Sequence, residues 1–333
     1  MLRVSFGLLL FVLACTPLGA ADDVFAAAKK LGKGVNLGNA LEAPNEGEWG
    51  IKLKELYFAK IKEAGFDSVR LPVKWSNHCG KDAPYTIDPK FFARVDWAIE
   101  QAEKNGLNII VNAHHYDEIY QQPAEHLPRL LGIWRQIAER YKNAGAHVYF
   151  ELLNEPHSKL DDPTWNEQIK HLLKVVRVNH PQRPVIVGPS FWNGIWRLPH
   201  LKLPEEDRWL IATVHFYNPF EFTHQGAHWV EKSDKWKGTV WPKNADEEKK
   251  LVAELGQAAQ WGKENKRPMF LGEFGAFSAA EMESRVHWTK TVVETANQLE
   301  ISWSYWEFCS GFGAFDPETD QWREPLRKAL TGR

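Results

Sequence analysis

Eight short apolar runs alternate along the chain with longer amphipathic ones. The apolar runs read as strands at 33–38 (KGVNLG), 66–72 (FDSVRLP), 107–115 (LNIIVNAHH), 147–154 (HVYFELLN), 183–188 (RPVIVG), 209–217 (WLIATVHFY), 268–274 (PMFLGEF) and 301–308 (ISWSYWEF). Helical segments fall between them. The run 91–106 (FFARVDWAIEQAEKNG) closes on Asn-Gly, a helix stop, and 165–180 and 280–299 carry apolar residues at helical spacing. Strand–helix alternation implies a parallel sheet, and eight such units imply a closed (β/α)8 TIM barrel, a single-domain α/β fold. The least regular stretch, 217–245, is rich in aromatics and follows the sixth strand. Long structureless loops in compact domains are usually functional, and Trp236 and Trp241 there are placed to extend a cleft.

Composition narrows the picture. The chain has 333 residues with a net charge of −2, a balance that argues against a nucleic-acid partner. Sixteen Trp is a surplus that suits a cleft for flat apolar faces such as sugar rings. Arg3, the apolar stretch GLLLFVLA and the small residues of TPLGAAD form a targeting leader with cleavage near Ala20 or Ala21. Residues 1–21 are therefore expected to be a signal peptide, and 22–333 the barrel. A secreted protein follows, extracellular or periplasmic; a lipid anchor through Cys15 is the lesser alternative. The apolar stretch is short for a membrane span, and no other run is long enough to be one. Cys79 and Cys309 lie too far apart in sequence to suggest a disulfide framework. A monomer is expected.

In a barrel the active site lies at the C-terminal strand ends. Those ends carry Asn36 and Asn39, Arg70, His114 and His115, Asn154 and Glu155, His215 and Tyr217, Glu273, and Trp306. Pro156 cannot donate to a sheet ladder and marks the end of the fourth strand. Glu155 and Glu273, at strands four and seven, should face each other across the mouth. Two opposed carboxyls are what glycosidic cleavage needs, one protonated and one anionic, and Arg70 beside one of them would hold it ionised. On that basis Glu155 is expected to titrate high and Glu273 low.

The fragments VRLP, NEP, VHFY, GEFG and YWEF, in this order at successive strand ends, resemble glycoside hydrolase family 5, retaining β-glycanases on a (β/α)8 barrel. GVNLGNALEAPNEGEWG and YNPFEFTHQGAHWVE resemble a cellulase/mannanase group of that family known from thermophilic bacteria. The resemblance runs from about Gly34 to about Trp322. It implies Glu155 as general acid/base and Glu273 as nucleophile. Asn154 would bond the 2-hydroxyl of the reacting sugar, and Arg70 and Tyr217 would orient Glu273. His114 and His215 would line the reacting subsite, with Trp306 as its floor. Asn39, Glu42, His115, His224 and Trp229 match positions that contact neighbouring sugars. The implied activity is endo-β-1,4-glucanase on a polysaccharide or oligosaccharide, with no cofactor and no metal. Mannanase and β-glucosidase activities on the same fold stay open, as does a non-catalytic carbohydrate-binding barrel.

Other readings compete at single residues. Glu151 lies roughly 13 Å deeper on the fourth strand than Glu155, where a buried, paired acid is expected. Glu307 should point away from the mouth if Trp306 faces it. His114 and His115 are adjacent and face opposite ways on a strand, which disfavours a shared metal. Trp97, Trp134, Trp165 and Trp288 sit in helical patterns and read as core.

Overall fold

The computed structural model describes residues 23–333. The expected leader, with Cys15, lies outside the described residues. The eight apolar runs form eight parallel strands in one closed barrel: β1 (Lys33–Asn36), β2 (Ser68–Leu71), β3 (Asn108–Asn112), β4 (Val148–Glu151), β5 (Val185–Val187), β6 (Leu210–Phe216), β7 (Met269–Phe274) and β8 (Ser302–Tyr305). Each strand pairs with its sequence neighbours, and β1 pairs with β8 to close the ring. Most strand positions are buried, because one face fills the barrel and the other meets the helices. All the strands but β7 stop short of the sequence-based limits at their C-terminal ends. Residues 113–115 and 152–154 leave the ladder and become the rim.

The outer layer holds the expected helices Pro89–Lys104, Asp162–Asn179 and Met282–Gln298, together with Glu55–Glu63, Pro123–Arg140, Ala245–Asn265 and Glu324–Thr331. Two of the expected helices start at side chains that satisfy orphan N–H groups: Asp88 accepts from Lys90 N at 2.8 Å, and Asp161 from Thr164 N at 3.1 Å. Trp134, Trp165 and Trp288 are fully buried between helices and barrel. Each also donates its indole N–H to a carbonyl just past a strand end: Leu152 at 2.8 Å, Gly188 at 2.9 Å and Asn218 at 3.0 Å. The rings thus fill the interlayer space and satisfy carbonyls that have left the sheet. Trp97 is only partly buried, under Arg94 and edge-on to Phe58.

The crossover from β5 to β6 carries no α-helix, only the 3-10 turn Ile195–His200. The loop after β6 is more ordered than expected. It contains the short helix Phe220–Thr223 and a 3-10 turn Ser233–Trp236, stitched together by buried Gln225, which donates to Thr239 O at 2.8 Å and accepts from Gly238 N at 2.9 Å. At the opposite end of the barrel, the helix Val24–Leu31 packs Val24, Ala27, Ala28 and Leu31 against Ile110, Tyr149, Ile186, Ile211 and Phe270. Those five residues stand near the starts of β3 to β7, so this helix closes the floor. Among the described residues no helix is long and apolar enough to cross a membrane.

Candidate active site

Arg70, at the end of β2, is wholly buried and organises the rim from beneath. Its Nε and Nη2 donate to both oxygens of Glu151 at 2.7 Å. Nη2 also donates to Asn154 Oδ1 at 2.7 Å, and Nη1 donates to Glu273 Oε1 at 2.7 Å and to Asn36 Oδ1 at 2.9 Å. Asn36 in turn donates to the carbonyls of Gly272 and Ser304, tying β1 to β7 and β8. The guanidinium fork suits this duty, since it serves several acceptors in one plane. Glu151 is therefore a paired acid below the rim.

Glu155 follows β4 with a left-handed backbone, φ 45°. A non-glycine residue held there costs about 1–3 kcal/mol, a strain that recurs where a side chain must be aimed at a site. A register irregularity between Val214 and His215 sets His215 opposite Glu273. His215 Nδ1 lies 2.6 Å from Glu155 Oε1 and 3.6 Å from Glu273 Oε2. Burial pushes the His215 ring down to about 4, against the pull of Glu273. A neutral ring protonated on Nδ1 donates to Glu155 and accepts from Asn193 Nδ2 at 3.3 Å. Tyr217 OH donates to Glu273 Oε2 at 2.9 Å. Burial, then the charge of Glu273, holds the phenol well above its ordinary range, so the proton stays on the tyrosine.

Burial raises Glu155 to about 7, with Arg70 opposing. Glu273 does not sit low as expected. Burial raises it too, and His215 and Arg70 only pull back against that rise. The expectation counted the arginine and omitted the desolvation of a carboxyl that is only 5% exposed.

One oxygen of Glu155, one of Glu273 and a His215 nitrogen all lie within 4.8 Å of one another. This is the one trio of that kind among the described residues spaced to hold a metal ion. The fixed positive charge of Arg70 on Glu273 opposes a cation there.

Above these groups opens a cavity of about 1390 Å³, larger than a drug-sized ligand needs. Of the thirteen residues expected at the site, all but Arg70 and Glu42 line it. His114 stacks on Trp306 (5.5 Å between centroids, 6° between planes), and His115 meets Trp49 edge-on at 5.7 Å. Both histidines reach the cavity because β3 ends at Asn112 and strand alternation no longer applies to them. Burial lowers His114 well below its ordinary value and His115 to about 4. His224, lowered to about 4 by burial, stacks on Phe220 at 4.0 Å. Trp229 stands edge-on to Phe277 at 5.1 Å. Asn39 lines the opposite lip with φ 63°.

Glu42 is the correction among these positions. It is fully buried and turned away from the cavity, accepting from the backbone N–H groups of Asn39 and Ala40. Burial raises it to about 8. It shapes the turn that presents Asn39. Glu307 is buried likewise, bound by the N–H groups of Cys309, Ser310 and Phe312, and burial raises it to about 7.

Trp236 and Trp241 do not line the cavity; Trp241 is buried against the outer helices. Sequence reasoning missed Trp49, Phe191, Trp192, Trp196, Phe277 and Phe312, which do. Phe191, Trp192 and Asn193 are three successive left-handed residues after β5, at φ 56°, 60° and 54°. No periodicity announces such a turn. A usable signal was the unassigned aromatic run FWNGIW between two strands. Every exposed Trp among the described residues (Trp49, Trp192, Trp196 and Trp229) faces this one cavity.

Comparison with known proteins follows the same line. The family model Cellulase (glycosyl hydrolase family 5) matches residues 30–311. Endoglucanase H of Acetivibrio thermocellus is 37% identical over 297 residues, which are 89% of this chain but 31% of that protein, so the chain spans about a third of its length. Endoglucanase A of Ruminococcus albus is 29% identical, across 87% of this chain and 86% of its own. Thermotoga maritima Cel5A, solved in complex with mannotriose, is 47% identical at a TM-score of 0.91, covering 92% of this chain and 100% of that one. The same Cel5A is also solved with cellobiose. The cellulose synthase subunit Z of Clostridioides difficile is 35% identical at a TM-score of 0.87, covering 90% of this chain and 99% of that one. By sequence, by fold and by the furnishing of its rim, this chain belongs to glycoside hydrolase family 5, the cellulase family.

Proposed function

We propose that this chain is a secreted, retaining endo-β-1,4-glycanase that acts on β-glucan, with β-mannan as a second substrate. The observation that carries the mechanism is the close approach of the two carboxyls, with an oxygen of each within 4.8 Å. Retaining glycosidases keep their carboxyl groups about 5–5.5 Å apart, whereas inverting ones need room for a water.

Glu155, raised to about 7 by burial, is the general acid. It gives its proton to the glycosidic oxygen while a Glu273 oxygen attacks the anomeric carbon. The C–O bond breaks, the leaving sugar departs as an alcohol, and a glycosyl ester on Glu273 remains. Glu155, now a carboxylate, takes a proton from water as the water oxygen attacks the same carbon. The ester breaks and Glu273 returns as a carboxylate. Arg70 and Tyr217 donate to Glu273 and stabilise its charge at the start and end of this cycle. Asn154 spends its oxygen on Arg70 and keeps its amide N–H for the 2-hydroxyl of the reacting sugar. His114 and Trp306 wall the reacting subsite, and Asn39, His115, His224 and Trp229 serve the sugars beside it. Glu42 acts on those sugars only through Asn39.

The glucan preference is supported by relatives named endoglucanase, and the second substrate by a relative solved with mannotriose. The test is reducing-sugar release from a soluble mixed-linkage β-glucan and a β-mannan, with Glu155→Gln as blank, and the product anomer followed by NMR. The β-anomer appearing first supports retention; the α-anomer overturns it. Release that persists in Glu155→Gln overturns the role of Glu155. Secretion is tested by N-terminal sequencing of the exported protein, which is expected to begin just after Ala20 or Ala21.

A further inference from the structure

Beside the main cavity lies a second one of about 590 Å³, between the turn Ile195–His200 and the helix Ala245–Asn265. Ile195, Trp196 and Gln257 line both, so the two adjoin. Trp196 is 62% exposed, yet its ring is held in place. The Arg197 guanidinium lies 4.8 Å from its centroid and 4.6 Å from that of Phe191, and Arg197 is itself ion-paired to Asp162. Along the facing helix, Gln257, Gln260 and Glu264 are three and four residues apart, so they share one face. Trp261 lies at the base, and Gly256 leaves the floor open, since a Cβ there would meet nothing within 4 Å.

A fixed exposed indole beside a row of carboxamides and a carboxylate is the chemistry that recognises a pyranose ring: an apolar face to stack and equatorial hydroxyls to bond. The groove also has a definite side. The Trp192 N–H donates to Pro156 O, next to Glu155, and the Trp192 ring stacks on His157 at 5.1 Å. This wall therefore stands on the flank of Glu155, the group that protonates the leaving oxygen.

We propose that this groove is a remote subsite for the leaving half of a β-1,4-linked polysaccharide chain, which passes over Trp196 and along Gln257, Gln260 and Glu264. The proposal rests on the glycanase reading above. Only substrates long enough to reach past Trp196 gain from it.

The test uses Gly256→Tyr, which fills the open floor, and the double variant Gln260→Ala/Glu264→Ala, which strips the polar wall. Neither lesion threatens folding, because Tyr is a better helix former than Gly, and Ala a better one than Gln or Glu. Retention is measured by electrophoresis through gels containing soluble mixed-linkage β-glucan, in a Glu155→Gln background. The ratio of kcat/KM on that polymer to kcat/KM on a short aryl cellobioside is measured in the active chain. Each variant is expected to weaken retention and lower the ratio about fivefold, the loss of one modest stacking or polar contact. Variants that keep the parent's retention and ratio, while the parent hydrolyses both substrates, overturn the remote subsite alone. A parent that is not retained and hydrolyses neither substrate overturns the glycanase reading, and the subsite with it.

Discussion

Arg70 shows how much of the site depends on one side chain. It serves Glu151, Asn154, Glu273 and Asn36 at once from a fully buried position. Arg70→Lys keeps the charge but loses the fork, so kcat is expected to fall about 100-fold in steady-state assays while the fold survives. Glu155 and Glu273 set the pH profile. Glu155 must enter the first step protonated, so kcat/KM should fall as pH rises through about 7. Glu273 must enter it ionised, and because burial raises it, the acid limb should lie above the ordinary carboxylate range. With a dinitrophenyl leaving group, which departs without a proton, Glu155→Gln is expected to lose the alkaline limb only; a retained limb would assign it to another group. Glu42 affects stability instead. Its folded value of about 8 lies above that of an unfolded carboxyl, so the folded state binds the extra proton. Its contribution is complete below the unfolded value and is lost as pH rises towards and through 8. Glu42→Gln should flatten the fall in Tm between about pH 5 and 8, measured by calorimetry. The strand-end acids and Arg70 were legible because a barrel rim gives them a place. The inward turn of Glu42 was not, because a carboxyl three residues after Asn39 reads the same whether it faces sugar or its own backbone.

The elements divide the same way. The helices with apolar spacing and the eight strand runs were legible, since period and caps are local signals: Asp88 and Asp161 sit where helix starts require them. The C-terminal strand limits were overdrawn, because the ladder stops where rim residues turn towards the cavity, a tertiary event. The turn after β5 has no periodicity to announce it, yet it carries Phe191, Trp192 and Trp196 into the cleft. Its shape depends on Gly188, where a Cβ would run into the Asn193 side chain. Gly188→Ala is therefore expected to cost about 1–3 kcal/mol in urea unfolding and to raise KM for long substrates, as Asn193 moves and the aromatic wall shifts with it.

At the scale of the molecule the two ends of the barrel do different work. The rim holds the strained Glu155 backbone, buried ionisable groups and exposed indoles. The floor is apolar and closed by Val24–Leu31, a helix that sequence reading passed over because it is only eight residues long and follows directly on the expected leader. Tyr149 OH donates to Ala27 O at 2.8 Å across that floor. Tyr149→Phe should lower stability by about 1 kcal/mol without changing kcat. Such a stopper gives the protein a handle for engineering. Stabilising substitutions in 23–31, or a tether that keeps this segment seated, act on the far side of the barrel from the chemistry. Heat resistance can then be raised from below while the strained rim above keeps the geometry it needs to turn over.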